Sequence, residues 1–259
     1  MTLFVQVEKA EKVAIVTINN PPLNVMNTLV VQELNEVFSG FEYDDEVVAV
    51  IITGYGNKAF MAGADIKEFP QLIGKANLKP TFMESHAVLN RIDNFPKPTI
   101  AVLNGLTLGG GCELALTCDI RIAEEHAQLG LPEIKLGLFP GGGGTQRLPR
   151  LVGESKAKEL MFTGDAITAQ TAEKIGLVNS VVPTGEGLQT AKDLAKKISR
   201  HSLQALSRIK RAVDEGADLS LEKSIEREAE LFEEVFQTED IKEGVQAFIE
   251  KRRPTFSNR

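Results

Sequence analysis

Tryptophan is absent from this chain of 259 residues, while tyrosine and cysteine occur twice each. Two thiols, Cys112 and Cys118, allow at most one bridge, and their spacing is neither a CxxC nor a zinc pattern. Free buried thiols in a reducing compartment are the expectation. His86, His126 and His201 lie far apart without paired ligand spacing, so no metal site is expected. No apolar run approaches the ~18 residues of a membrane-spanning helix. Residues 1–7 read directly as a strand, without a basic and apolar leader, so no targeting segment is expected. Basic residues are also in deficit: 29 Lys and Arg against 36 Asp and Glu give a net charge of −7. With a pI near 5.2, the chain offers no electrostatic footprint for duplex nucleic acid or an anionic membrane, although a local basic pocket is compatible with it. A soluble, cytoplasmic protein is the expectation.

What the chain has is ordinary globular material, 42% hydrophobic and 25% charged. Its length suits one large core, or one domain with an appendage, and needs no disulfide staple. Residues 4–8 and 13–19 are strand-like and separated by a charged turn, which predicts a hairpin. Residues 28–41 place Leu34, Val37, Phe38 and Phe41 on one helical stripe, and residues 47–53 form a β-branched run suited to a buried strand. Further strands are predicted over 99–103 and 120–123, with a glycine turn and a helix between them. Alternating strands and helices indicate an α/β architecture. From about Thr184 only helical periodicity remains: Leu203, Leu206 and Val213, then Leu221, Ile225, Ala229, Phe232 and Phe236, then Ile241, Val245 and Phe248. Thr238 stands where an N-cap belongs. Such a helical tail needs its own core or a neighbouring subunit to pack on.

Three familiar motifs fail. Gly54-Tyr55-Gly56-Asn57-Lys58-Ala59 fits a relaxed dinucleotide fingerprint, but no helix follows at once and no acidic strand end appears about 20 residues on. There is no G-x-S-x-G elbow, and Gly74-Lys75 lacks the rest of a phosphate loop.

Two glycine turns precede predicted helices. In Met61-Ala62-Gly63-Ala64-Asp65-Ile66-Lys67-Glu68, Asp65 is a candidate N-cap with Glu68 at capping-box spacing. In Leu108-Gly109-Gly110-Gly111-Cys112-Glu113, three glycines open a helix. Such turns permit close strand–helix packing, or present unpaired N–H groups to an oxyanion. Glu113 and Glu133 each lie near a helix start, where a carboxylate is electrostatically favoured without any catalytic duty. Together at an oxyanion site they could instead divide acid and base work, contributing about 10²–10⁴-fold.

The segments Ala62-Gly63-Ala64-Asp65-Ile66, Gly109-Gly110-Gly111-Cys112-Glu113-Leu114-Ala115, Leu131-Pro132-Glu133 and Pro140-Gly141-Gly142-Gly143-Gly144-Thr145-Gln146-Arg147-Leu148 occur together and in family order. On them the chain resembles the enoyl-CoA hydratase (crotonase) family over essentially its whole length. The resemblance implies an α/β fold, a spiral of repeated ββα units with a C-terminal helical oligomerisation region. It divides the chain into a catalytic core, residues 1–195, and a helical trimerisation region, residues 196–259. It implies that trans-2-enoyl-CoA is hydrated to 3-hydroxyacyl-CoA, as in fatty acid β-oxidation, by a homotrimer or homohexamer. No separate cofactor and no metal are implied, coenzyme A being part of the substrate. Among the residues, Ala64 and Gly110 match the oxyanion donors, and Glu113 and Glu133 the two catalytic glutamates. Gly141 matches a glycine beside the attacking water. Ala62, Asp65, Ile66, Lys67 and Lys251 match positions around coenzyme A, the last reaching a neighbouring subunit's ligand.

Met61 stands where a smaller residue is common, which suggests altered packing around the adenine or thiol arm, and Gly142 to Gly144 suggest a flexible water-side loop. At this length no fused dehydrogenase is expected. Rival readings are Δ3-Δ2-enoyl-CoA isomerisation, hydration of a branched or carboxylated enoyl-CoA, and an RNA-binding or scaffold role. The last would need the basic run Lys192, Lys196, Lys197, Arg200, Arg208, Lys210 and Arg211, which lacks interleaved aromatics and reads as a solvated helix face.

Overall fold

The computed structural model describes residues 4–259; residues 1–3 of the expected N-terminal strand lie outside the described residues. Strands β1 (Val5–Ala10) and β2 (Val13–Ile18) form the predicted antiparallel hairpin, turning through Glu11 and Lys12 at positive φ. Helix α1 (Thr28–Glu42) starts at Asn27, whose side chain accepts from Val30 N, and buries Val30, Leu34, Phe38 and Phe41.

Three ββα passes follow. The first is β3 (Ala49–Gly54), β4 (Ala59–Ala62) and α2 (Lys79–Asp93); the second is β5 (Thr99–Leu103), β6 (Leu106–Leu108) and α3 (Gly110–Leu116). The third is β7 (Ile120–Glu124) and β8 (Gln128–Gly130), which lead through a 3-10 turn at Pro132–Leu136 into α4 (Gly144–Val152) and α5 (Glu154–Thr163). The first strand of each pass adds in parallel to a six-stranded sheet, and the second adds in parallel to a four-stranded sheet. This is the expected spiral. Strand β9 (Ile167–Thr168) closes the smaller sheet beside β8. Beyond α6 (Ala169–Lys174), strand β10 (Ser180–Val182) closes the larger sheet beside β7.

Every residue of β3 is buried because both faces of the larger sheet are covered. Alternate residues serve two cores: Val50 and Ile52 join the main core, while Ala49 and Ile51 face helix α7 (Gly187–Ile198) through Ala191 and Ala195. A division at 195/196 therefore falls within the last turn of α7. The remaining helices are α8 (Leu203–Gly216), α9 (Leu221–Val235) and α10 (Glu239–Ile249). Thr238 caps α10 as expected, its hydroxyl accepting from Ile241 N. Lys210 of α8 reaches Asp119 at 2.9 Å and ties this region to the core. Even so, Val213, Leu221, Ile225, Phe232, Phe236 and Phe248 are each more than half exposed. Among the described residues, no helix is long and apolar enough to cross a membrane.

Candidate active site

The short strands β4, β6 and β8 lie side by side, so the turns leaving their C-terminal ends converge. The turn after β4 carries Gly63, Ala64 and Asp65, and Met26 bridges Ala64, its N–H donating to Gly63 O while its carbonyl accepts from Asp65 N. The turn after β6 carries Gly109, at φ 52°, and opens α3 at Gly110. A methyl group on Gly110 would sit 3.5 Å from Ala64 N, so the two turns face each other at contact distance. Among the described residues, neither the Ala64 nor the Gly110 N–H has a hydrogen-bond acceptor. The two turns thus bring together two unpaired amides, one at a helix N-terminus, as an oxyanion site requires.

Gly111 shows that close packing also applies: a Cβ there would fall 2.0 Å from Met61 O. The triple glycine thus serves contact at Gly111, a left-handed turn at Gly109 and an open amide at Gly110. Met61 is fully buried in the main core, so its larger side chain fills core volume instead of reaching a ligand arm. Gly54, from the rejected dinucleotide fingerprint, is likewise a packing glycine, since a Cβ would fall 2.3 Å from Ala59 O.

The expected helix after Asp65 is a single 3-10 turn, Ile66–Glu68. Asp65 caps it by accepting from Lys67 N, but Glu68 does not close a capping box; it accepts from Thr28 N and Oγ1 at the start of α1. Pro70, directly after Phe69, disfavours continued helix there.

Glu113 lies on α3, facing into the molecule and only 4% exposed. Its Oε1 accepts two backbone N–H bonds, from Gly142 at 2.7 Å and Gly144 at 2.8 Å. Burial, the largest influence, holds its carboxyl above the ordinary glutamate value, while these amides, with His86 and Arg147 more weakly, oppose the rise. Glu133 sits on the 3-10 turn after β8, half-buried. Its Oε2 is buried without a partner, and Oε1 lies where a side chain on Gly109 would collide, at 2.9 Å. Burial raises Glu133 to about 7; its own backbone N–H opposes the rise and the Glu113 charge adds to it.

The loop 140–144 holds a finding that the sequence reading missed. Gly141 is exposed and gives no bond to Glu113; Gly142 and Gly144 do. The glycines here also have steric reasons. A Cβ on Gly142 would lie 2.5 Å from Glu113 Oε2, one on Gly143 would lie 2.2 Å from Arg147 Nη1, and Gly143 has φ 104°. The glycines are demanded by contact and conformation. Four of them ahead of a helix were the visible signal, but which amides face a carboxylate depends on α3 passing beneath.

Of the positions matched to coenzyme A, Ala62, Asp65, Ile66 and Lys67 share the turn that carries Ala64, with Ile66 56% exposed and Lys67 also exposed. Lys251 lies elsewhere, past the end of α10 at φ 56°, exposed, with its N–H donating to Phe248 O. The basic run on α7 and α8 is largely paired with acids: Lys196 with Glu11, Arg208 and Arg211 with Glu234, and Lys210 with Asp119. Cys112 and Cys118 are free and buried, their thiols pushed up to about 12 by burial, which leaves them unreactive. Among the described residues, no three His, Cys, Asp or Glu side chains are grouped to hold a metal.

Residues 8–259 match the family model described as enoyl-CoA hydratase/isomerase. The chain is 46% identical over 254 residues to a short-chain-enoyl-CoA hydratase of Clostridium acetobutylicum, covering 97% of each chain. It is 43% identical to a crotonyl-CoA hydratase of Syntrophomonas wolfei, covering 96% of each. The crystal structure of an enoyl-CoA hydratase from Bacillus anthracis superposes with a TM-score of 0.94 at 38% identity, over 99% of this chain and 100% of that one. Sequence match and architecture therefore agree, and the chain belongs to the enoyl-CoA hydratase/isomerase family, with the crotonase fold.

Proposed function

We propose that Glu113 and Glu133 divide the proton work of adding water across the C2=C3 bond of a trans-2-enoyl-CoA, with Ala64 N and Gly110 N holding the thioester oxygen. The protein is a hydratase of enoyl-CoA thioesters, a carbon–oxygen lyase, in keeping with its family and with relatives named for that activity. The observation that carries the division of labour is the contrast between the carboxylates: one cradled by two amides, the other raised to about 7 with an oxygen unsatisfied. Glu113, ionised, takes a proton from water as its oxygen attacks C3. The C2=C3 electrons move to Cα and onto the thioester oxygen as an enolate. Glu133, protonated, delivers its proton to Cα, and the product is 3-hydroxyacyl-CoA. Losing one oxyanion donor of this kind costs ~2.7–4 kcal/mol of transition-state stabilisation.

Coenzyme A belongs to the substrate, and the reaction calls for no separate cofactor. The turn 62–67, exposed at Ile66 and Lys67, is suited to the coenzyme moiety, with Ala62 beside the adenine and Lys67 beside a phosphate, while Gly141 of the neighbouring loop lies beside the water. The apolar exposure of α8 to α10 supports self-association into a trimer, or a pair of trimers, in which Lys251 would reach a neighbour's ligand. A role in fatty acid β-oxidation in the cytoplasm fits this chemistry. The decisive measurement follows the absorbance of the conjugated thioester with crotonyl-CoA and longer trans-2-enoyl-CoAs. Loss of absorbance is expected; no hydration at any chain length overturns the reading, and bond migration in a 3-enoyl-CoA would support the isomerase instead.

A further inference from the structure

Arg147, on the first turns of α4, spends its guanidinium on three groups from two elements. Its Nε donates to Asp93 Oδ2 at 2.7 Å and its Nη2 to Asn90 Oδ1 at 2.7 Å, both near the C-terminal end of α2. Its Nη1 donates to Gly142 O at 3.3 Å. That carbonyl belongs to the peptide joining Gly142 and Gly143, and the two amides that hold Glu113 Oε1, Gly142 N and Gly144 N, stand on either side of it. The side chain is 14% exposed, and it lies so close to Gly143 that any Cβ there would strike Nη1 at 2.2 Å. A peptide in a glycine run has little intrinsic preference for its orientation, so an external clamp decides which way its N–H groups point.

We propose that Arg147 is a positioning residue for Glu113: clamped by Asn90 and Asp93, it fixes the 142–143 peptide so that both flanking amides point at the carboxylate and hold it ionised as the base. The inference rests on Glu113 being that base. Charged and titratable groups around Glu113 come from each packed element: His86 from α2, Arg147 from α4, Glu133 from the 3-10 turn and Cys112 beside it on α3. Of these, only Arg147 also bonds the donor loop.

The test is the pH profile of kcat/KM for crotonyl-CoA hydration in Arg147→Lys and Arg147→Gln, against wild type in the same buffers so that His86 contributes equally. With the amides released, Glu113 holds its proton to higher pH. The acid limb should move up by about one pH unit, with kcat falling about 10-fold or more and KM changing less than about 3-fold. Lysine retains the charge but not the three-way fork, so it should not restore the limb. Asp93→Asn and Asn90→Ala loosen the clamp at its outer end and should shift the limb in the same direction by less; they carry the test if the Arg147 variants fail to fold. An acid limb that stays at the wild-type pH in folded variants overturns the proposal, as does full rescue by lysine, which would reduce Arg147 to a point charge. Glu113→Gln separates the two levels: if that variant stays active, the assignment of the base has failed, and not the clamp alone.

Discussion

The two glutamates of the site are the same residue in opposite settings. Glu113 projects from a helix into a loop that supplies two amide donors to one of its oxygens. Glu133 projects from a 3-10 turn into a space where one oxygen has no partner, beside the negative charge of the first. Both are desolvated, yet only Glu113 has its charge compensated by donors from the loop. A carboxylate that must accept a proton and one that must give one can thus be built from a single side-chain type, because donors and burial set the protonation state.

The harshest way to break this contrast is to remove the ionisable groups. Glu113→Gln and Glu133→Gln should each lower kcat by about 10²–10⁴-fold while circular dichroism stays native-like. Near-wild-type turnover in either would remove that glutamate from the mechanism. Gly142→Ala attacks only the cradle. Its methyl would fall 2.5 Å from Glu113 Oε2, so the loop or the carboxylate must shift. Activity should fall by about 10–100-fold with the acid limb displaced upward, whereas an unchanged profile would mean that the loop amides do not tune Glu113.

The smallest effect concerns Glu133 and stability. Its folded pKa, about 7, exceeds its ordinary value of 4.5. Below 4.5 the carboxyl is neutral in both folded and unfolded states; as pH rises through 7 the folded state loses stability relative to the unfolded one. A neutral amide escapes this penalty. Glu133→Gln should therefore gain little at pH 5 and melt higher than wild type at pH 8. Half exposure discounts the effect to about 1 kcal/mol, or about 2–4 °C, readable by scanning calorimetry at the two pH values. An equal shift at both pH values would mean that packing, not charge, is responsible.

Much of the frame was legible in advance. The hairpin, α1, the buried run in β3 and the Thr238 cap follow from local patterning, and each stands where its periodicity or capping residue placed it. The glycine turns and both glutamates were visible as motifs. Illegible were the points where distant segments meet. Glu68 turns to Thr28 instead of closing its own box, and Asp65 starts one turn, not a helix. The donors to Glu113 are Gly142 and Gly144, and Arg147 reaches back more than fifty positions to Asn90 and Asp93.

Sequence alone determined the hairpin, α1, the buried run of β3 and the helical C-terminal region, because those depend on residue periodicity and capping within a few positions. It also supplied the residue types the chemistry needs, two carboxylates and glycines able to bare their amides. Tertiary structure decided how differently the two glutamates are buried and hydrogen-bonded. That difference arises from burial and from amides contributed some thirty positions downstream, and no local pattern encodes a through-space donor. It also left apolar residues of α8 to α10 such as Val213, Phe232 and Phe248 exposed on the chain, which only the packing of whole helices decides.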